Sequence, residues 1–169
     1  MGRLLDPQRY YWETFSTLKR DQIYLSLQLT RLDHIERCLN IFAAVSASTA
    51  IAGWTIWQHA AYVWGAVIAL SQVYTATKNH LPFGVQLKSL NALYPEIEAL
   101  TLSAERGWFR VARGEMTEEE IIDGASKLKE TKALLTQKHL KSVILPENKK
   151  KVDEANEKAI GYLNNFLEG

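Results

Sequence analysis

Apolar residues return at helical spacing along the first part of the chain: Tyr11, Phe15 and Leu18, then Leu25, Leu29, Leu32 and Ile35. Glu13, Lys19, Arg20, Asp21, Arg31, Asp33 and Glu36 fill the other faces. Asp6-Pro7 reads as an N-cap followed by a proline in the first turn, and from there to Arg37 there is no glycine and no further proline. The pattern predicts an amphipathic helix of about 30 residues ending the region 1–37 and running on without a cap. It then changes abruptly. Residues 38–77, 40 in all, contain no Asp, Glu, Lys or Arg. A span needs roughly 20 residues, with a lower limit near 17, to cross a ~30 Å hydrocarbon core. The run is therefore too long for one span and sufficient for two. It predicts a transmembrane hairpin, Cys38 to about Trp57 and about Ala61 to Thr77, turning near Trp57–Ala60.

Small residues recur four apart in each span, Ala44, Ser48 and Ala52 in the first and Ala61, Gly65 and Ala69 in the second. In lipid, where apolar surface alone gives no driving force, such stripes let helix backbones approach closely. One stripe suits the hairpin partner and the other a neighbouring copy; the competing explanation is that Ala and Gly are simply common in membrane helices. Trp54, Trp57, Tyr62 and Trp64 gather around the expected turn, and Tyr74 lies towards the other end, as amphipathic rings do at membrane interfaces. The turn lacks Lys and Arg, while the opposite ends carry Arg31, Arg37, Lys78 and Lys88. By the positive-inside rule both termini are expected in the cytoplasm.

Helical spacing resumes in the region 78–169. A break over Asn79–Gly84, containing Leu81-Pro82, precedes a helix with Val85, Leu87, Leu90, Leu93, Ile97 and Leu100 as its apolar set, running to about Gly114. Pro95 inside it either kinks the helix or starts a new one. Thr117 with Glu120 three residues later matches a capping box and opens the next helix, expected to reach about Leu145 before Pro146. A last helix, from about Glu147 to Leu167, would bury Val152, Ala155, Ala159, Tyr162, Leu163 and Phe166. The fold class expected is all-α: a two-span hairpin with a long N-terminal helix and a cytoplasmic helical bundle.

Composition narrows the function. The net charge is +1, and residues 78–169 hold 14 basic and 14 acidic side chains, so no basic field points to nucleic acid. Lys149-Lys150-Lys151, the one basic run there, is either a solvated helix start or a contact for anionic lipid. Mean hydropathy is −0.18, because the polar flanks outweigh the uncharged run. The single cysteine, Cys38, excludes an intrachain disulfide and reads as a packed thiol or a lipidation site. The first 30 residues show no pattern of a cleaved signal peptide.

The four histidines have no second His or Cys at a metal-motif spacing, the nine glycines form no phosphate loop, and no Gly-x-Ser-x-Gly elbow occurs. No enzyme activity and no cofactor is expected. The candidate functional residues are the polar groups within the spans, chiefly Asn40, Ser48, Ser71 and Gln72, and the helix-packing stripe Ala61, Gly65 and Ala69. Polar residues in a membrane face protein or water, so two readings stand: they line a pore built from several hairpins, or they hydrogen-bond the helices together.

The helix up to Arg37, the uncharged run Cys38–Thr77 and the helical tail from Val85 onward resemble the layout of the SLATT family. That resemblance implies a membrane effector of prokaryotic antiphage defence in the bacterial inner membrane. It would form homo-oligomers in the lipid bilayer and open or disrupt it on a cytoplasmic cue, either a sensor protein or a nucleotide signal. It carries over no residue roles. Two other functions fit the residues: a non-pore membrane scaffold recruiting a partner through its helices, and a soluble helical interaction protein with the 38–77 run in its core.

Overall fold

Helical periodicity is realised as five α-helices, and among the described residues there is no strand. The computed structural model describes residues 6–52, 61–77, 82–141, 143 and 148–166, without the side chains of 46–52, 61, 64, 82 and 83. In chain order the helices are α1 (Pro7–Ala52), α2 (Ala61–Thr77), α3 (Pro82–Ala112), α4 (Glu118–Leu140) and α5 (Lys149–Asn164). The chain is all-α.

Local chemistry sets most helix ends. The Asp6 carboxylate accepts from the Gln8 N–H at 3.0 Å and so caps α1, which then runs unbroken for 46 residues. Gly114, at φ 70°, ends α3: Glu115 N–H returns to Arg110 O and Gly114 N–H to Val111 O, both at 3.0 Å, a Schellman closure that needs a left-handed residue at this point. Thr117 and Glu120 form the expected capping box, with Thr117 N–H donating to Glu120 Oε2 at 2.8 Å. That bond, with the Thr117 hydroxyl, holds the Glu120 carboxyl below its ordinary pKa.

Limits of three helices differ from the sequence reading. α3 begins at Pro82, where a missing N–H costs nothing in a first turn, and it continues through Pro95 as one helix. Leu93, Ile97 and Thr101 are buried on both sides of that proline, and their packing outweighs the lost hydrogen bond. α4 stops at Leu140 rather than near Leu145, with Val143 N–H turned back onto Leu140 O. α5 starts at Lys149 because the Asn148 side chain caps it, accepting from Lys151 N–H, and its last helical residue is Asn164 rather than Leu167.

Two compact units can be distinguished, one of residues 1–29 with 89–169, the other of residues 30–88. In the first, Tyr11, Phe15 and Leu18 of α1 share a core with Ala104 and Val111 of α3, Ile121, Ala125 and Leu128 of α4, and Leu163 of α5. Each fully buried aliphatic or Phe side chain contributes about 1.5–3 kcal/mol. Phe166 closes one end, with ring centroids 5.9 Å from Phe15, 5.6 Å from Phe109 and 5.5 Å from Tyr162. Ion pairs tie the helices around this core: Lys132 to Asp21 between α4 and α1, and Lys138 to Glu96 at 2.9 Å between α4 and α3. His139 also meets Glu96, at 3.1 Å, and these two partners, Lys138 foremost, lower the Glu96 pKa.

The Tyr162 hydroxyl donates to Glu105 Oε2 at 2.8 Å. Burial first, and then the adjoining carboxylate, push its pKa up to about 12. The folded protein thus holds this proton more tightly than the unfolded chain, whose value is near 10. The associated stability is complete below pH 10 and is lost as pH rises from about 10 to about 12. Tyr162→Phe is expected to lower the urea midpoint at pH 7 and to flatten its decline between pH 10 and pH 11. An equally steep alkaline decline in the variant would show that Tyr162 does not cause it.

Candidate functional site

The second unit holds the uncharged part of the chain. Along α1 the covered positions after Thr30 are Leu32, Asp33, Ile35, Leu39 and Ala43, a narrow helical stripe. Asn40 and Cys38 are exposed beside it, so the thiol is not packed. Ile41 is 63% exposed. On α2 the covered side runs through Val67, Ile68, Ser71 and Tyr74, whereas Val63 (66%), Leu70 (64%) and Val73 (60%) face outward. Among the described residues both units expose large apolar side chains, but in this one Ile41, Tyr62, Val63, Leu70 and Val73 reach 60% or more, whereas none in the first unit exceeds 59%.

Hydroxyl groups on α2 are satisfied within the helix. Ser71 Oγ donates to Val67 O at 2.8 Å, Thr75 Oγ1 to Ser71 O at 2.8 Å and Thr77 Oγ1 to Val73 O at 2.7 Å. A hydroxyl bonded to the carbonyl four residues back needs no partner helix and no water, which makes it tolerable in apolar surroundings. At the charged border Arg37 pairs with Asp33 at 2.9 Å, one helical turn away. The pair is exposed and contributes little to stability. The positive-inside tendency counts the arginine irrespective of that partner.

The predicted residues therefore separate. Asn40 and Gln72 present exposed amides, while Ser71 is buried and bonded to its own helix. Ser48 lies on α1 and Ala61 opens α2, but their side chains are outside the described set. Ala69 is exposed, and a Cβ built at Gly65 meets nothing within 4 Å among the described residues. The expected turn with Trp54, Trp57 and His59 lies outside the described residues, as do Lys78, His80 and the rest of 78–81. Of the remaining aromatics, Tyr62 is 94% exposed.

Among the described residues no helix is long and apolar enough to cross a membrane. The uncharged helix α2 has 17 residues, about 26 Å of rise. Among the described residues, too, no three His, Cys, Asp or Glu side chains come together as metal ligands would. Lys149 and Lys150 of the basic run are exposed, whereas Lys151 donates to Leu27 O of α1 at 2.7 Å.

No family model matches this chain, and no curated protein or solved structure is significantly similar to it.

Sequence reasoning missed the polar residues inside α1. Gln22 and Gln28 are buried on the face where the spacing placed leucines, with Gln22 Nε2 reaching Glu98 at 3.4 Å and Gln28 Nε2 donating to the Tyr24 hydroxyl at 2.7 Å. Both continue the helical spacing of Leu18, Leu25 and Leu32, and that register was the signal available.

Proposed function

We propose that this chain is a membrane effector. Residues 38–77 insert as a two-span hairpin in the bacterial inner membrane, with both termini in the cytoplasm. Several hairpins associate and form a pore or otherwise disrupt the bilayer when a signal reaches the helical region 78–169. The role in antiphage defence rests on the resemblance in layout to the SLATT family.

The observation that carries the reading is the outward-facing apolar surface of the uncharged run 38–77, with Ile41, Val63, Leu70 and Val73 each at least 60% exposed. Apolar surface left in water forgoes about 25 cal/mol per Å², so side chains exposed to this degree suit lipid or another copy. Among the described residues the Ser71 and Thr75 hydroxyls are bonded to their own helix, and the exposed amides of Asn40 and Gln72 are free of that constraint to face water or a neighbouring copy.

Gly65→Leu tests the assembly. Within one chain the new side chain enters open space, so folding and insertion are expected to stay normal. Between copies it separates backbones that the Ala61, Gly65 and Ala69 stripe would bring together. Purified protein in liposomes should show fewer high-order crosslinked species and slower dye release than wild type. Crosslinking and leakage equal to wild type would remove this stripe from the assembly surface.

A further inference from the structure

A cavity of about 390 Å³ opens between α3 and α4, within the first unit and apart from the uncharged run. It lies between two matching faces, Ser103, Gly107 and Arg110 on α3 and Gly124, Lys127 and Thr131 on α4. Tyr11 also lines it, its ring accommodated by the two glycines, where a Cβ would lie 1.9 Å from Oη at Gly107 and 3.3 Å from Cε2 at Gly124. Leu100, Met116 and Leu128 add apolar wall.

Its charge is one-sided. Arg106, Arg110 and Lys127 line it, and no carboxylate does. Arg110 is partly balanced, with Glu115 at 3.9 Å and Glu120 near enough to feel its charge. Among the described residues Arg106 and Lys127 have no carboxylate within 4 Å, and they come from opposite walls. The hydroxyls of Ser103 and Thr131 stand on the same two faces. Exposed cations on opposite walls, one of them a guanidinium fork that suits phosphate oxygens, beside a lining of Tyr11, Leu100, Met116 and Leu128 suit a ligand that is anionic at one end and apolar at the other. The volume is at the small end of the range for ligand sites.

We propose that this cleft binds a small phosphate ester with a planar or apolar body, the phosphate held between Arg106 and Lys127 and the body seated against Tyr11. The assignment rests on the packing of α3 and α4 and not on the membrane reading, so either can fail alone.

Calorimetric titration of the whole chain in detergent with adenosine diphosphate, inorganic pyrophosphate and adenosine tests it. Adenosine diphosphate should bind saturably, pyrophosphate more weakly and adenosine not measurably. Arg106→Ala with Lys127→Ala should weaken binding at least about tenfold, since charge-assisted hydrogen bonds from both walls are lost, while the unliganded melting temperature stays unchanged. Ser103→Trp keeps every cation but fills the cleft, and should abolish binding. Absence of saturable adenosine diphosphate binding would overturn the proposal. So would wild-type affinity in either variant, or pyrophosphate binding as tightly as adenosine diphosphate. Vesicles of phosphatidylcholine with phosphatidic acid separate the lipid source: binding to them through Arg106 and Lys127, without adenosine diphosphate binding, would make this a headgroup contact and overturn the free ligand. Dye release in the absence of any ligand reports on the membrane reading alone.

Discussion

Protein carrying Ala66→Lys together with Leu70→Lys is expected to leave the membrane fraction. The two positions are one turn apart near the middle of α2, and both are exposed. Neither change disturbs packing within the chain. In water, such exposed substitutions alter stability by about 0.5 kcal/mol or less. At the centre of a span each lysine costs about 2.5–3.5 kcal/mol, roughly 5–7 kcal/mol for the pair, or three to five orders of magnitude in partitioning. The contrast between those figures separates a spanning hairpin from a helical interaction protein that never enters lipid. Fractionation after alkaline carbonate washing measures it. A double variant that stays in the washed membranes at the wild-type level would refute insertion of α2, and so would wild-type protein that washes off.

Gly107→Ala is expected to destabilise the first unit by about 1–3 kcal/mol, the usual cost of overpacking a buried site. Helix propensity alone points the other way, because alanine in a helix interior is favoured over glycine by about 1 kcal/mol. Geometry decides the sign. A Cβ at Gly107 would lie 1.9 Å from Tyr11 Oη and 2.9 Å from Cζ. The ring has little room to withdraw: it is 4% exposed, its hydroxyl donates to Ala104 O at 3.2 Å, and a Cβ position at Gly124 lies 3.3 Å from Cε2. Any movement breaks that hydrogen bond and disturbs Phe15 and Leu18 in the same core. Urea unfolding of Gly107→Ala, Tyr11→Phe and the double variant measures the coupling. The double variant should recover part of the loss, since removing Oη relieves the closest contact. A Gly107→Ala protein more stable than wild type would show that the ring yields freely.

Periodicity and capping chemistry made most of the helical architecture legible before any coordinates. Asp6 and the Thr117–Glu120 box act within three residues of themselves, and both appear as expected. Of the expected stripe, Tyr11, Phe15, Leu18, Leu25 and Leu32 are buried, while Leu29 and Ile35 are half-buried. Helix ends were less accessible: Pro146 suggested the end of α4, but a turn from Leu140 to Val143 ended it earlier, and the Asn148 cap set the start of α5.

By itself, then, the sequence determined an all-α chain, its capped helix starts and an uncharged stretch at 38–77, because each follows from interactions within about one or two helical turns. Only the tertiary structure decided which faces meet. Tyr11 reaches Ala104 across 93 residues, Lys132 reaches Asp21 across 111, and Lys151 reaches Leu27 across 124. No local spacing encodes such separations. For the same reason the scattered Gly107 and Gly124 gained a purpose only beside Tyr11, and Arg106 and Lys127 became one cationic cleft only when α3 packed against α4. In the uncharged run, the fold turned Ser71 onto its own helix and left Gly65 facing open space, which single-helix spacing cannot distinguish from a packed position.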